Sequence, residues 1–211
     1  MAETGLSLPD KACCNAVLYE QKYSFSIIFN RTIHLRGLIY KMQSDTYTII
    51  SGTNRPGSNT IRVAKQYLHL LEEKGVPVQF VSLEGLDVNS RNDQLRKLEK
   101  EVLIPTRKFI FVVPEYNGSF PGVLKAMIDN TDIENVWWGK KALLTGVSTG
   151  RAGNLRGMEH LTGVLHYLKM NVHHNKLPIS VVNKLLNGTK DIEDPATLKV
   201  MGEQLDEFIR F

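Results

Sequence analysis

From residue 44 onward, short apolar or β-branched runs alternate with longer segments of helical period, and this alternation leaves few folds open. Residues 46–51 read Thr-Tyr-Thr-Ile-Ile-Ser, the composition of a strand buried in a parallel sheet. Residues 60–74 place Ile61, Val63, Ala64, Tyr67, Leu68 and Leu71 at helical spacing, and Gly75 with Pro77 stops the helix. Residues 78–83 read as the next strand, and 93–103 as a helix with Leu95, Leu98 and Val102 on its apolar face. The run 108–113 (Lys-Phe-Ile-Phe-Val-Val) reads as the most buried strand and stops at Pro114. A helix follows over 120–130, with Pro121 in its tolerant first turn. The second half repeats the pattern: strand 141–147, helix 155–170, a weaker strand within 171–178, and a closing helix over 197–211 after Asp194-Pro195. Five rounds of alternation predict an α/β fold, a doubly wound five-stranded parallel sheet with helices on both faces.

Composition narrows the function classes. At 211 residues, 42% hydrophobic and 23% charged, the chain has room for one ordinary domain and is not of disordered type. No apolar run approaches the roughly 18–20 residues that cross a bilayer, so no membrane association is expected. The net charge of +4 comes from 26 basic and 22 acidic residues scattered along the chain, which argues against a nucleic-acid partner. The only cysteines are the adjacent Cys13 and Cys14. They offer neither a disulfide framework nor a zinc ligand set, and they fit a reducing, cytoplasmic setting.

Residues 1–43 carry no comparable pattern and read as a poorly ordered N-terminal extension, with 44–211 as the domain proper. Met42 lies just before the first clear strand, so residues 1–41 are read as a mis-assigned upstream start, with an arm packing on a partner subunit as the alternative. Without residues 1–43 the net charge falls to +2.

Three strand-to-helix loops are rich in Gly, Ser, Thr and Asn. Ligands in such folds sit beyond the carboxyl ends of the strands, where strand order reverses. The first loop, Gly52-Thr53-Asn54-Arg55-Pro56-Gly57-Ser58-Asn59-Thr60, opens a helix whose unpaired N–H groups and positive dipole end favour an anion. Arg55 adds a fork suited to phosphate, and Thr53, Ser58 and Thr60 add hydroxyls. Neither GxxxxGK[ST] nor GxGxxG is present, so a phosphate monoester fits better than a triphosphate or dinucleotide. The second loop, Pro114-Glu115-Tyr116-Asn117-Gly118-Ser119, can present a row of backbone groups to a flat heterocycle; its plain reading is a turn with Ser119 as N-cap. The third is Ser148-Thr149-Gly150-Arg151-Ala152-Gly153-Asn154. Each loop alone can be a cap and a turn. Three at one sheet edge say more.

These residues resemble the flavodoxin-like NADPH-dependent FMN reductase family, which includes quinone, azo-dye and chromate reductases. The resemblance spans roughly residues 45–211 and is most specific over Pro114-Glu115-Tyr116-Asn117-Gly118-Ser119-Phe120-Pro121-Gly122-Val123-Leu124-Lys125. The first loop resembles the family's phosphate loop, with Thr53 where serine is usual and Thr60 where asparagine is common. In the third, Ala152-Gly153 stands where relatives carry a Gly-Gly pair. The resemblance implies sheet order 2-1-3-4-5 and FMN as cofactor. It places Thr53, Arg55, Ser58, Asn59 and Thr60 around the phosphate. Pro114, Glu115, Tyr116, Asn117 and Gly118 would line the isoalloxazine, and Ser148, Thr149 and Gly150 its other edge. It further implies NAD(P)H as co-substrate, a small-molecule electron acceptor, no catalytic side chain, and a homodimer or homotetramer joined by helices beside strand three. A flavodoxin-type electron carrier and a non-catalytic flavin-binding module are the alternatives.

Other residues draw a different reading. Adjacent His173 and His174 would face opposite sides of a strand, so no metal site is expected there. His160 and His166 do not share a helix face. Trp137-Trp138 is read as a core edge or subunit contact, with an aromatic wall beside the cofactor as the alternative.

Overall fold

The structure, a computed structural model, describes residues 45–186 and 192–211, so the expectations for residues 1–43 lie outside it. The chain runs β1 (Tyr47–Ser51), α1 (Asn59–Glu73), β2 (Val78–Ser82), α2 (Asp93–Leu98), β3 (Lys108–Pro114), α3 (Gly122–Asp129), β4 (Lys141–Val147), α4 (Leu155–Tyr167), β5 (Asn171–Val172), β6 (Leu177–Ile179), α5 (Val182–Leu185) and α6 (Pro195–Arg210). The sheet order is β2-β1-β3-β4-β5 and every pairing is parallel, which is the expected doubly wound topology.

Period-two alternation along the central strands divides the core. Ile49, Ile110, Val112 and Leu143 face Val63, Tyr67 and Leu71 of α1 and Met201, Leu205 and Phe208 of α6. Ile50, Phe109, Phe111, Val113 and Leu144 face Leu95, Leu124, Met127 and Leu161 on the opposite side. Leu71 is fully buried, and truncation to alanine there would cost about 2–5 kcal/mol. Trp137 belongs to the second layer, 5.1 Å from Phe109 and 6.3 Å from Phe111 between ring centroids. Its indole N–H donates to Thr131 Oγ1 at 3.0 Å. It is therefore core, and the aromatic-wall alternative fails for it. Trp138 is partly exposed, with Lys169 Nζ 3.3 Å from its ring centroid.

Several boundaries differ from expectation. The helix over 93–103 is α-helical only to Leu98 and closes with a π-helical turn, Glu99–Leu103, in which Ile104 N–H reaches Glu99 O at 2.8 Å. The helix after loop two starts at Gly122 behind Pro121, not at Phe120.

The fifth strand is broken. Val172 faces Ala142 and Leu177 faces Thr145, so residues 173–176 stand where β4 offers only Leu143 and Leu144. The extra residues leave the ladder and expose β4 carbonyls that need other donors. Gln204 of α6, fully buried, supplies one of them: its Nε2 donates to Leu144 O at 3.1 Å and to Asn175 O at 2.8 Å. Tyr67 donates to Gln204 Oε1 at 2.5 Å, and Thr145 donates to the Tyr67 hydroxyl at 2.8 Å. Burial pushes the Tyr67 phenol well above its usual range, so it stays a neutral donor.

Candidate functional site

α1 covers one face of the sheet and α3 the other, so the chain leaves the adjacent β1 and β3 in opposite directions. That divergence opens a cleft of about 310 Å³ at the carboxyl ends of the strands, and all three loops line it.

Loop one begins at Gly52, where a Cβ would come within 2.7 Å of Val113 Cγ1, so only glycine fits this close approach to β3. Ser58 is the N-cap of α1, its Oγ accepting from Ile61 N–H at 3.2 Å. Asn59 and Thr60 follow with no intrahelical acceptor for their N–H groups. The first turn of α1 holds no acidic residue. Arg55 lies over the Tyr116 ring, with its guanidinium carbon 4.7 Å from the centroid. Thr53 is turned inward and is only 2% exposed. Its Oγ1 lies 2.8 Å from the Tyr116 hydroxyl and accepts from Arg55 N–H at 3.3 Å.

Loop two is a tight hairpin. Tyr116 and Ser119 exchange backbone bonds at 2.8 and 3.1 Å. Asn117 (φ 51) and Gly118 (φ 76) occupy the two left-handed positions that a type I′ turn requires. Glu115 N–H continues the ladder to Val147 O at 2.9 Å. Ser119 is not the helix cap. Its Oγ lies 2.9 Å from His160 Nδ1, and α3 starts from Pro121 without a side-chain cap.

Loop three is folded back by internal bonds. Ser148 Oγ donates to Gly150 O at 2.9 Å and accepts from Gly153 N–H at 3.0 Å. Asn154 is left-handed (φ 64) and fully buried, and its Nδ2 donates to Val113 O and Pro114 O at 3.0 and 2.9 Å. Asn154 thus staples loop three to the end of β3. Gly153 has φ 56, and a Cβ there would lie 2.5 Å from Pro178 Cβ. Ala152-Gly153 therefore keeps its glycine where the backbone demands one.

Of the residues singled out in the sequence, Arg55, Ser58, Asn59, Thr60, Pro114, Glu115, Tyr116, Ser148 and Thr149 line the cleft. Thr53, Asn117, Gly118 and Gly150 do not. Thr53 joins two loops, and Asn117 and Gly118 form the hairpin turn. Gly150 O is taken by Ser148 Oγ and Val181 N–H. Val182 also lines the cleft and had no signal in the sequence. It is brought in by left-handed Val181 (φ 50) and by its own N–H, which donates to Ser148 O at 3.0 Å.

The histidines depart from expectation. Because the fifth strand breaks at His173, alternation does not apply, and the His173 and His174 rings lie 4.5 Å apart between centroids. His173 is only 2% exposed.

Fold and cleft together define a doubly wound α/β protein with a cleft at its switch point that opens onto an acid-free helix N-terminus. The family can then be stated: the chain belongs to the NADPH-dependent FMN reductase family, whose model matches residues 46–183. It is 34% identical over 97 residues to a 2-hydroxy-1,4-benzoquinone reductase from Burkholderia, a match covering 42% of this chain and 53% of that protein. The chain thus spans about half the length of that relative. It is 28% identical over 148 residues to an NAD(P)H-dependent FMN reductase from Pseudomonas aeruginosa, covering 65% of this chain and 77% of the other. Among solved structures, a flavoenzyme NAD(P)H:acceptor oxidoreductase from Paracoccus denitrificans superposes with a TM-score of 0.67 at 22% identity, over 79% of this chain and 96% of its own. That likeness shows the fold. No helix among the described residues is long and apolar enough to cross a membrane.

Proposed function

We propose that the chain is an FMN-dependent NAD(P)H oxidoreductase serving a small electron acceptor: a quinone, flavin, azo compound or metal oxyanion. The observation that carries this reading is the convergence of three loops on one cleft whose phosphate end is a capped, acid-free helix tip with Arg55 beside it. The donor set fits FMN. The first loop brings hydroxyls, backbone N–H groups and the Arg55 cation to the cleft, and Glu115, from the second loop, is the single carboxylate among the described lining residues.

When bound, FMN supplies the hydride-transfer and electron-transfer chemistry. The chain's residues bind and orient. Arg55, the Ser58 and Thr60 hydroxyls and the Asn59 and Thr60 N–H groups would hold the phosphate dianion. Pro114, Glu115 and Tyr116 would line the ring, with Asn117 and Gly118 fixing the hairpin that presents them. Ser148 and Thr149 would flank the other edge, with Gly150 anchoring their loop through Ser148 Oγ and Val181 N–H. Backbone donors aimed at the ring edge would stabilise negative charge gained on reduction, by the logic of an oxyanion hole. Thr53 is a positioning residue in this scheme, acting through Tyr116. No side-chain acid or base is assigned.

The test is FMN titration of the purified protein followed by NADPH oxidation with a quinone acceptor. Saturable FMN binding and acceptor-dependent NADPH oxidation are expected. A protein that fails to bind FMN sinks the proposal. One that binds FMN but leaves NADPH untouched supports an electron carrier or a non-catalytic flavin-binding module instead. The +2 charge of residues 44–211 is unlike the acidic surface such a carrier uses for docking.

We further propose a homodimer or homotetramer formed through α3 and α4. Ile133 (44% exposed) and Tyr167 (84% exposed) border a mainly apolar groove there. Sedimentation at the mass of a single chain would refute it. A cytoplasmic setting, with NAD(P)H at hand and both cysteines reduced, completes the proposal.

A further inference from the structure

We propose that His173, His174 and Glu207 form a site for one divalent transition-metal ion of the zinc class, tying the broken fifth strand to α6. The three residues offer ligand atoms that all lie within 4.8 Å of one another. Metal–ligand bonds of about 2 Å let two ligands of one ion stand up to about 4 Å apart, so a small rotation of the exposed His174 closes the set. Two imidazoles and one carboxylate suit zinc, nickel or copper rather than the oxygen-seeking magnesium and calcium.

Three further features fit a built site. The strand break itself puts both rings on one side, since an unbroken strand would have sent them to opposite faces. Asn175 Nδ2 donates to Glu207 Oε2 at 2.8 Å, which orients the carboxylate and leaves its other oxygen to ligate. The His173 ring packs at a T-shaped angle against both Phe208 and Phe211, at 5.9 and 5.0 Å, so its position is set before an ion arrives. Its hold on one tautomer is weak, because the contact from Asn175 N–H to Nδ1 is long, at 3.3 Å. His174 at the surface provides the entry path, and an ion with three protein ligands keeps a position for water. None of the three residues lines the cofactor cleft, so this site stands independently of the oxidoreductase reading.

The experiment is calorimetric titration of the full chain with Zn²⁺ alongside thermal melts, on the unmodified protein and on His174→Ala, Glu207→Gln and His166→Ala. One equivalent should bind and raise the Tm. His174→Ala and Glu207→Gln should each weaken binding about ten-fold or more and abolish the Tm rise, while His166→Ala behaves as the parent. Circular dichroism of the metal-free variants checks the fold, and Glu207→Gln decides if His174→Ala does not fold. Absence of saturable binding overturns the proposal. So does affinity unchanged in both variants, which would place the ion elsewhere.

Discussion

Gln204 Nε2 donates to Leu144 O at 3.1 Å at the point where the fifth strand has left the sheet. A helix side chain thus does what a strand N–H would otherwise do. The same amide serves Asn175 O, and its oxygen accepts from Tyr67. Replacing Gln204 with leucine would strand the buried Leu144 carbonyl, leave the Tyr67 O–H without its acceptor, and remove a donor from the half-buried Asn175 carbonyl. Each buried unsatisfied group costs about 1–3 kcal/mol, so Gln204→Leu should lose about 3 kcal/mol or more. Urea unfolding would show this as a lower midpoint with an unchanged slope.

Thr53 and Tyr116 tie loop one to loop two through their hydroxyls. Removing the Thr53 hydroxyl while keeping its shape, by Thr53→Val, should barely change the fold. It frees Tyr116 in a cleft that FMN must find preorganised. One net hydrogen bond is worth about 1 kcal/mol, so FMN affinity should fall about five-fold. Tyr116→Phe should do the same, and the double variant should fall no further than either single one.

Gly146 is where β4 meets the folded-back third loop: a Cβ there would lie 2.1 Å from Gly153 O. Backbone cannot yield as a side-chain tip can. Gly146→Ala should therefore cost about 1–3 kcal/mol and also weaken FMN binding, because loop three shifts. Gly202, whose added Cβ meets nothing, is the control, and Gly202→Ala on α6 should stabilise by up to about 1 kcal/mol.

The legible parts of this molecule were those whose backbone is dictated by residue type. The cap and turn read from the first loop are there, with Ser58 as the N-cap, whereas the Asn117-Gly118 hairpin stood only as a strand-to-helix turn and the close approach at Gly52 only as a loop glycine. The sheet order came from family resemblance and was right, because alternating strands and helices admit few topologies. The illegible parts depend on where a side chain finds its partner. A threonine hydroxyl in a phosphate-loop position reads as a ligand donor, yet Thr53 spends it on Tyr116. The strand break at His173 is hidden because its carbonyl debts are met by a residue far along the chain, Gln204. Val182 reaches the cleft through a left-handed valine, a conformation no sequence rule assigns to a β-branched residue.

Lys140 carries a pH dependence. Its Nζ donates to Leu103 O and Ile104 O, both at 2.9 Å, at the end of the π-helical turn. Burial, and secondarily the Arg107 charge, lowers its pKa from 10.5 to about 8. Between those values the unfolded chain holds a proton that the folded protein has released, so this group makes stability rise with pH across that window. Below about 8 both states are protonated and the slope vanishes. Burial of Tyr67 acts oppositely above its ordinary range, so the comparison must be differential. Lys140→Met should show a smaller gain in denaturation midpoint than the parent between pH 8 and 10.5.

Arg55 separates the phosphate from the rest of the cofactor. Among the described residues it is the only cationic side chain lining the cleft, and it rests on the Tyr116 face, a contact between two exposed or half-buried groups that yields readily to a dianion. Charge-assisted bonds are worth about 1.5–3 kcal/mol, so Arg55→Ala should weaken FMN about ten- to a hundred-fold. Riboflavin, which lacks the phosphate, should bind parent and variant within about two-fold, since neutral contacts to the ring are untouched. Raising salt should weaken FMN binding to the parent more steeply than to the variant, because one partly screened charge pair is missing from the latter. Titrations of both ligands against both proteins at two ionic strengths decide it. An equal loss for riboflavin and FMN would mean that Arg55 supports the ring through Tyr116 and that the phosphate sits elsewhere.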